Sequence, residues 1–321
     1  MQNKLFFIKL TPIITDRGFI LPKRIIIIFF SIFICIISAI FCFYKYNTPK
    51  RYAIFAGFNP NGTIPDYVIT YLKGLNEVTN GIVYIADSSL KDGELNKLKD
   101  INILYTSHIR HQEYDWGSYK RGFNWLKENN YLPNTDELIF ANDSCYAPIT
   151  SFKPMFKTMQ SKPDLDFWGD LQNTQFSNHI QSYFIVFRKK IINSKSFNNF
   201  INQVTHHDDT REYITKYETK LTPFLENIGY KWDTYMPYKQ LSHLKASDKN
   251  SYPLTLIKEY NHQFLKRRTF TSLLMISENI HTLVDYLYTN HPQTFYNLIN
   301  EVDKKHIPPH LLDKKNETKS N

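Results

Sequence analysis

Short apolar runs alternate with helix-like segments along most of the chain. A run that is continuous, short and bounded by polar or glycine residues is typical of a buried strand, and apolar residues three or four apart are typical of a helix. The order strand, helix, strand favours an α/β fold with a mainly parallel sheet and helices on both faces. The predicted strands are 52–58, 81–87, 101–106, 137–141, 166–169 and 182–188, and the predicted helices include 64–78, 118–129 and 211–227.

A much longer apolar run precedes these segments. Residues 25–44 (IIIIFFSIFICIISAIFCFY) contain no charged side chain and lie between Lys23-Arg24 and Lys45. At about 1.5 Å per residue, such a run is just long enough to cross a hydrocarbon core of roughly 30 Å. We therefore predict a transmembrane helix here. A signal peptide is disfavoured by the length of the run and the lack of a cleavage site, and a buried core helix remains as the alternative.

These patterns divide the chain into five parts. Residues 1–24 form a basic segment, 25–44 the membrane helix and 51–250 the main α/β domain. Residues 251–312 are predicted to be a helical C-terminal extension, because the strand pattern ends there. Residues 313–321 are polar and charged, which is typical of a disordered tail.

The charge of the chain is concentrated around the apolar run. The protein has 321 residues and a net charge of +9, and residues 1–51 hold eight Lys and Arg against the single acid Asp16. That segment carries +7, which leaves +2 for everything after it. A basic nucleic-acid-binding domain is therefore excluded, since the globular part is nearly neutral. Of three cysteines, only Cys145 lies outside the apolar run, so the main domain has no disulfide framework and suits a reducing compartment.

Acidic residues directly after strands are the first candidates for chemistry. Asp87 ends one predicted strand, Asp143 follows another, and Asp115 lies in a loop that leads into a helix. In open α/β sheets, ligands bind at the carboxyl ends of the strands. A carboxylate there can hold Mg²⁺ or Mn²⁺ together with a diphosphate. The alternative is that Asp143 and Ser144 merely cap the next turn.

Other motifs lack a necessary part. Residues 57–63 (GFNPNGT) have the spacing of a phosphate loop but not its lysine, which disfavours a nucleoside triphosphatase. The adjacent His206, His207, Asp208 and Asp209 are more typical of a solvated loop than of a metal site. No G-x-S-x-G elbow is present, so an esterase has no support.

Five collinear segments carry a family resemblance. They are YAIFAGFNPNGTIPDYVITYL, YDWGSYKRG, LIFANDSCYAP, DFWG and HIQSYFIVFRK, and they fall between residues 51 and 232. In this order they resemble the rhamnan synthesis protein F family, bacterial glycosyltransferases of cell-surface polysaccharide assembly. The resemblance implies a GT-A-like nucleotide-sugar fold for residues 51–250, and it does not include the apolar run.

The resemblance also implies roles for the residues that follow the strands. Asp87 would meet the donor nucleoside, and Asp143 would bind the metal ion and the diphosphate. For the metal-binding motif the family pattern has Asp-x-Asp, whereas this chain has Asn142-Asp143-Ser144 around the same position. We expect Asn142 and Ser144 to contact the donor, with Mg²⁺ or Mn²⁺ as the cofactor. The missing carboxylate leaves metal dependence open.

Transfer of a sugar with inversion needs a carboxylate that accepts the proton of the acceptor hydroxyl. The resemblance points to Glu218 for this role, in the helix that ends before Gly229. Asp115 is expected in the same cleft as a second catalytic carboxylate. His179 and Arg188 flank the strand SYFIVF and are candidates for contacts to the diphosphate, with packing or surface roles as the equal alternative.

The sequence therefore predicts a membrane-anchored glycosyltransferase. It would move a sugar, such as rhamnose, from a nucleotide-diphosphate donor to a cell-surface polysaccharide or a lipid-linked glycan. The alternatives are a non-catalytic glycan-binding or scaffold protein with the same fold, and a phosphosugar transferase, which would need more phosphate-binding cations. We expect a single-pass protein of the inner membrane with its catalytic domain in the cytoplasm, where nucleotide sugars are made, although the flanking charges lean weakly the other way.

Overall fold

The computed structural model of the protein describes residues 28–35, 48–271 and 276–314. The chain divides into two units, Met1–Pro49 and Lys50–Asn321. In the first unit, residues 28–35 form a helix whose side chains are exposed. The remainder of the predicted membrane helix at 25–44, and the predicted tail from residue 315 onward, lie outside the described residues.

Among residues 28–35, 48–271 and 276–314, no helix combines the length and the apolar character that crossing a bilayer requires.

A seven-stranded sheet forms the centre of the second unit. Its strand order is β10-β6-β9-β4-β1-β2-β3, and two further ladders, β5–β11 and β7–β8, have two strands each. The strands are β1 Arg51–Gly57, β2 Ile82–Ala86, β3 Ile103–Ser107, β4 Glu137–Asn142, β5 Cys145–Tyr146, β6 Phe167–Gly169, β7 Gln172–Asn173, β8 His179–Ile180, β9 Phe184–Arg188, β10 Trp232–Thr234 and β11 Leu265–Lys266.

Helices cover both faces of this sheet. The α-helices are α1 Asp66–Asn76, α2 Tyr114–Glu128, α3 Lys153–Gln160, α4 Lys189–Ile192, α5 Lys195–Asn202, α6 Thr210–Tyr213, α7 Thr219–Asn227, α8 Pro253–Tyr260, α9 Ile280–Asn290 and α10 Pro292–Ile299. A π-helical turn, Ile214–Glu218, joins α6 to α7. The predicted α/β fold with a mainly parallel sheet is thereby confirmed.

Strand β9 is the exception to the parallel arrangement. It pairs antiparallel with both of its neighbours, β4 and β6. Between Gly169 and Phe184 the chain forms only the β7–β8 ladder and no crossover helix. A parallel neighbour would need such a crossover, so the chain returns in the opposite direction. The end of β9 at Arg188 consequently lies beside the beginning of β4 at Glu137.

The two faces of the sheet bury separate apolar cores. In β1, Ala53 and Phe55 belong to the core under α1 and α3, whereas Ile54 and Ala56 belong to the core under α2. Burial on both faces explains why the central strands are apolar without interruption. Helix α2 approaches β1 closely at Gly122, where an added Cβ would lie 2.4 Å from Cγ2 of Ile54.

The C-terminal segment after residue 250 packs into the first of these cores. Its helices contribute Ile257, Leu287 and Phe295 to the same cluster as Phe55 of the central strand. Strand β11 of this segment pairs antiparallel with β5, which places Leu265 opposite Tyr146 and Lys266 opposite Cys145. The described parts of this segment contain the helices α8, α9 and α10, and they also supply a short strand beside the carboxyl end of β4.

A buried ion pair joins the beginnings of β1 and β4. Arg51 Nε lies 2.5 Å from Glu137 Oε2, and the two side chains are only 7% and 5% exposed. Arg188 Nε lies 3.5 Å from the other oxygen of Glu137. Removing one member of a buried pair leaves its partner uncompensated in a poorly solvated place.

We expect the substitution Glu137→Gln to lower the free energy of unfolding by about 3 kcal/mol, because Arg51 and Arg188 lose their counter-charge. Urea unfolding followed by circular dichroism measures this. The matched control is Glu77→Gln, whose ion pair with Lys153 is 51% and 64% exposed and should contribute less than about 1 kcal/mol. Equal losses for the two variants would contradict the importance of the buried pair.

Candidate active site

A cavity of about 850 Å³ lies at the carboxyl end of β4. Five of the residues singled out from the sequence line it, namely Asp115, Asn142, Asp143, Ser144 and Glu218. They come from the first turn of α2, the end of β4 and the π-helical turn before α7. The predicted gathering of polar side chains at a strand end is therefore present in the structure.

The turn after β4 is built by Asn142. Its Oδ1 accepts hydrogen bonds from the backbone N–H of Ser144 at 3.1 Å and from the Ser144 hydroxyl at 2.6 Å. Its Nδ2 donates to Asp115 Oδ2 at 2.6 Å. Such side-chain bonds to the backbone two residues on are typical of an Asx turn. Asn142 closes the turn, which leaves Asp143 and Ser144 to face the cavity.

Asp143 is fixed by the loop after β1. Its Oδ2 accepts the backbone N–H of Phe58 at 2.7 Å, and its own N–H donates to the Ala56 carbonyl at 3.1 Å. Burial raises the pKa of Asp143 to about 6, against the opposing effects of the Phe58 hydrogen bond and the charge of Arg267. The carboxylate is thus held rigidly in a place where its ionisation depends on nearby cations.

Among the acids of this cluster, Asp115 has the most strongly raised pKa. Burial, and after it the charge of Asp143, raise the pKa of Asp115 to about 7, although Lys266 acts in the opposite direction. The Asn142 amide donates to the same carboxyl group and also favours the ionised form. Asp115 consequently changes its protonation state close to neutral pH.

Glu218 ends the π-helical turn and remains ionised. Its Oε2 accepts the Ser182 hydroxyl at 2.5 Å, and its Oε1 lies 3.6 Å from Nε2 of His179. Burial acts to raise the pKa of Glu218, but the nearby His179 ring, the hydrogen bond from Ser182 and the charge of Lys266 outweigh it, so the pKa lies below its ordinary value. The carboxyl side chain keeps 22% exposure and can be reached from the cavity.

A proline follows the π-helical turn in the chain. Pro223 lies inside α7 and has no N–H for the carbonyl of Thr219. That carbonyl instead accepts the hydroxyl of Ser177 at 2.8 Å. Helices that carry a π turn often do so at functional sites. Here the turn sets Glu218 on the wall of the cavity.

Three consecutive basic residues from the C-terminal segment complete the cavity. Lys266, Arg267 and Arg268 all line it, at the end of β11 and in the turn that follows. Lys266 Nζ donates to the Ser144 hydroxyl at 3.1 Å. The N–H of Arg267 donates to the Ser144 carbonyl at 2.9 Å. The acidic turn after β4 and the basic strand β11 are therefore in direct contact.

These basic residues are absent from the sequence-based prediction of the site. They lie more than 120 positions after the Asn142 turn, in a segment whose pattern is mostly helical. The available sign was the sequence FLKRR, a short apolar run followed by three cations. Strand pairing over such a separation leaves no periodic trace in the sequence, so the link to β5 could not be foreseen.

Asp87 does not line the cavity. Its Oδ1 accepts the backbone N–H groups of His111 at 2.6 Å and Gln112 at 2.9 Å, and its Oδ2 lies 2.5 Å from Nη1 of Arg110. The carboxylate thus closes the loop between β3 and α2. The guanidinium of Arg110 in turn lies 4.9 Å from the centre of the Phe58 ring, beside the turn that holds Asp143.

His179 and Arg188 also lie outside the cavity. His179 is buried behind Glu218, with Nδ1 2.8 Å from the carbonyl of Ser177. Arg188 donates to the backbone carbonyls of Met159, Lys162, Pro163 and Leu165. Because β9 runs antiparallel, its final residue lies at the opposite edge of the sheet from Asp143. The structure does not bring Arg188 near a diphosphate at Asp143.

The residues around Asp143 do not form a metal centre of protein ligands. Within the described parts of the chain, no group of three or more His, Cys, Asp or Glu side chains is placed to hold a metal ion. Asp143 is the one carboxylate of the segment Asn142–Ser144, and Asn142 uses its oxygen within the turn. The side-chain atoms near Asp143 therefore form a poor set of ligands for a divalent cation.

The sequence matches the family model of rhamnan synthesis protein F over residues 82–315. This match extends well past residue 232, through the C-terminal segment that supplies Lys266, Arg267 and Arg268.

Two curated relatives are similar at low identity. "Uncharacterized protein y4gN" of Sinorhizobium fredii is 24% identical over 181 residues, which are 56% of this chain and 46% of the relative. "Virulence protein VirA" of Vibrio anguillarum is 22% identical over 242 residues, 74% of each chain. The chain thus spans less than half the length of the first relative.

Among solved structures, one similar chain is a glycosyltransferase involved in the glycosylation of the major capsid of PBCV-1. It has a TM-score of 0.37 and 11% identity, and the alignment covers 68% of this chain and 94% of that one. Similarity at this level says nothing about activity.

The raised pKa of Asp115 predicts a pH dependence of stability. An unfolded aspartate has a pKa of about 3.9, so the folded state holds more protons than the unfolded state up to about pH 7. The contribution of Asp115 to the free energy of unfolding therefore decreases as the pH rises from about 3.9 to about 7. When the pH rises from 5.5 to 8, we expect the free energy of unfolding of Asp115→Asn to increase by roughly 1–2 kcal/mol relative to that of the unchanged protein.

Thermal unfolding at the two pH values measures this difference. Asp164→Asn is the control, because Asp164 is exposed and distant in sequence from the cavity residues. A relative stability of the Asp115 variant that stays constant with pH would show that Asp115 ionises normally.

Proposed function

The chain belongs to the rhamnan synthesis protein F family, and we propose on that basis that it is a glycosyltransferase with a GT-A-like fold. It transfers a sugar from a nucleotide-diphosphate donor to a hydroxyl group of a glycan acceptor. The observation that carries this proposal is the cavity in which Asp115, Asp143 and Glu218 share one space with the basic residues of β11 and its following turn.

The two kinds of charge suit the two parts of such a donor. Cations bind the oxygens of a diphosphate, whereas carboxylates accept hydrogen bonds from sugar hydroxyls. The Lys266 charge acts on the carboxyls of both Asp115 and Glu218, so the two kinds of group are close together. A ligand with an anionic end and a hydroxylated end fits this arrangement.

The reaction assigns Glu218 the role of proton acceptor. An acceptor hydroxyl oxygen bonds to the anomeric carbon, the bond from that carbon to the diphosphate oxygen breaks, and the hydroxyl proton passes to Glu218. The leaving group is the nucleoside diphosphate. Glu218 suits this role because it is ionised and reachable, and the Ser182 hydroxyl bond fixes its orientation.

Asp115 binds the sugar that is transferred. Its Oδ2 takes the hydrogen bond of Asn142, and its other oxygen is available to a sugar hydroxyl. Partly exposed Tyr114 and Ile214 line the same cavity and provide apolar surface for a sugar ring. The family name supports a rhamnosyl donor and a cell-surface polysaccharide or lipid-linked glycan as acceptor.

We propose in addition that residues 25–44 anchor the protein in the inner membrane, with the unit Lys50–Asn321 in the cytoplasm. The uncharged run in the sequence supports this, and so do the exposed apolar side chains of residues 28–35. An anchor would hold the enzyme near a lipid-linked acceptor and raise its effective concentration.

Deletion of residues 1–47 should move the protein from the membrane pellet to the soluble fraction after ultracentrifugation of lysed cells. A reporter fused after Asn321 should be active only in the cytoplasm. Retention of the shortened protein in the pellet would contradict the anchor, and a periplasmic signal would contradict the orientation.

The catalytic role of Glu218 is tested by Glu218→Gln. We expect turnover of the donor to fall about 10²- to 10⁴-fold while donor binding is retained, because a general base contributes a factor of this size. Release of the nucleoside diphosphate is measured over a panel of nucleotide sugars that includes a rhamnosyl donor. Glu212→Gln is the matched control, since Glu212 lies on the same helical segment, contacts the His207 ring and forms an ion pair with Lys216.

Equal effects of the Glu212 and Glu218 substitutions would contradict this assignment. If the protein binds glycans but neither turns over nor binds any nucleotide sugar, a non-catalytic glycan-binding protein is favoured instead.

A further inference from the structure

We propose that Lys266 and Arg267 bind the diphosphate of the donor directly and that this binding needs no divalent cation. The inference deepens the proposed function and rests on it. It concerns two residues of the C-terminal segment that stand beside the Asn142 turn, where the family pattern would place a metal ion.

The charge of Lys266 acts on the carboxyl groups of Asp115 and Glu218 from beyond ion-pair distance. Its Nζ donates to the Ser144 hydroxyl at 3.1 Å and lies 3.9 Å from the centre of the Tyr183 ring. Within the described residues, no carboxylate lies within ion-pair distance of this ammonium group. An ammonium group has three donors, so donors remain for phosphate oxygens.

The guanidinium of Arg267 lies beside Tyr67, Asp143 and Glu301 at distances longer than those of strong hydrogen bonds. Its Cζ lies 4.6 Å from the centre of the Tyr67 ring, Nη1 lies 3.4 Å from the Asp143 carbonyl and Nη2 lies 3.5 Å from Glu301 Oε2. Charge-assisted hydrogen bonds are normally about 2.7–2.9 Å long. The guanidinium therefore retains most of its capacity for a bidentate contact with an anion, and its side chain is 39% exposed.

Both side chains are preorganised by buried neighbours. Tyr183, under the Lys266 ammonium, donates its hydroxyl to Asp170, and His262 Nε2 lies 2.6 Å from the same Asp170 oxygen. These three residues are at most 2% exposed. The ladder between β5 and β11 fixes the backbone on the other side. Rigid cations aimed at developing negative charge stabilise a transition state without reorganisation.

The metal alternative has fewer ligands at the same place. Asp143 is the single carboxylate of the Asn142–Ser144 turn, and one of its oxygens already accepts the Phe58 N–H. His306 lines the cavity and is buried, but within the described residues it is not grouped with two further ligand side chains. Two fixed positive charges can neutralise a diphosphate as a divalent ion does.

The experiment titrates the full-length protein with inorganic pyrophosphate in a calorimeter, once with EDTA and once with MnCl₂. We expect the same affinity in both. Lys266→Met and Arg267→Gln should each weaken binding about 10- to 100-fold, since each removes a hydrogen-bonded charge. Lys258→Met is the matched control, because Lys258 is exposed on α8 and the substitution changes the net charge equally.

Binding that EDTA abolishes and MnCl₂ restores would overturn the proposal, and so would absence of binding under both conditions or equal weakening by Lys258→Met. Circular dichroism spectra and unfolding midpoints identify variants that fail to fold. Arg267→Lys, which keeps the charge but not the planar fork, should then give an intermediate affinity.

Donor turnover separates this inference from the proposed function. EDTA-resistant pyrophosphate binding through Lys266 and Arg267, with no nucleotide sugar turned over, would refute the transferase and retain the anion site. Turnover only with Mn²⁺, together with EDTA-sensitive pyrophosphate binding, would retain the transferase and refute the metal-free site.

Discussion

The antiparallel pairing of β11 with β5 is the contact on which the rest of the cavity depends. It involves only Leu265 and Lys266 on one side and Cys145 and Tyr146 on the other. Because β5 follows directly after the Asn142 turn, this pairing sets a basic segment beside an acidic one. The helices α8 to α10 support it by packing into the core that also contains Phe55 of the central strand. A small ladder thus joins two distant parts of the chain into one site.

The charges in the cavity depend on one another. Asp115 and Asp143 are buried close together, and each would resist ionisation without the cations beside them. Lys266 and Arg267 favour the ionised forms and in turn remain incompletely compensated. An anionic ligand would restore balance on the basic side, while Glu218 stays ionised because Ser182 donates a hydrogen bond to it and His179 lies close by. This division of charge lets one cavity bind a diphosphate and accept a proton.

Much of the fold follows from local pattern, and the site follows from it in part. The central strands are uninterrupted apolar runs because both faces of the sheet are covered, so their positions and the polar residues after them could be predicted. Arg188 was a candidate either for the diphosphate or for a packing role, and the sequence could not decide between them, because periodicity does not show that β9 is antiparallel. Lys266 was missed because a two-residue strand has no period at all. Asp87 does follow a strand, as the sequence predicts, but its carboxylate oxygens contact Arg110 and accept two backbone N–H groups.

We propose that one cavity holds both the diphosphate, beside Lys266 and Arg267, and the reacting sugar, beside Glu218. A crystal structure of the protein with a bound nucleoside diphosphate tests this most directly. We expect phosphate oxygens within hydrogen-bond distance of Lys266 Nζ and the Arg267 guanidinium, next to the Asn142–Ser144 turn. Phosphates bound outside this cavity, or held in it only through a metal ion on Asp143, would contradict it.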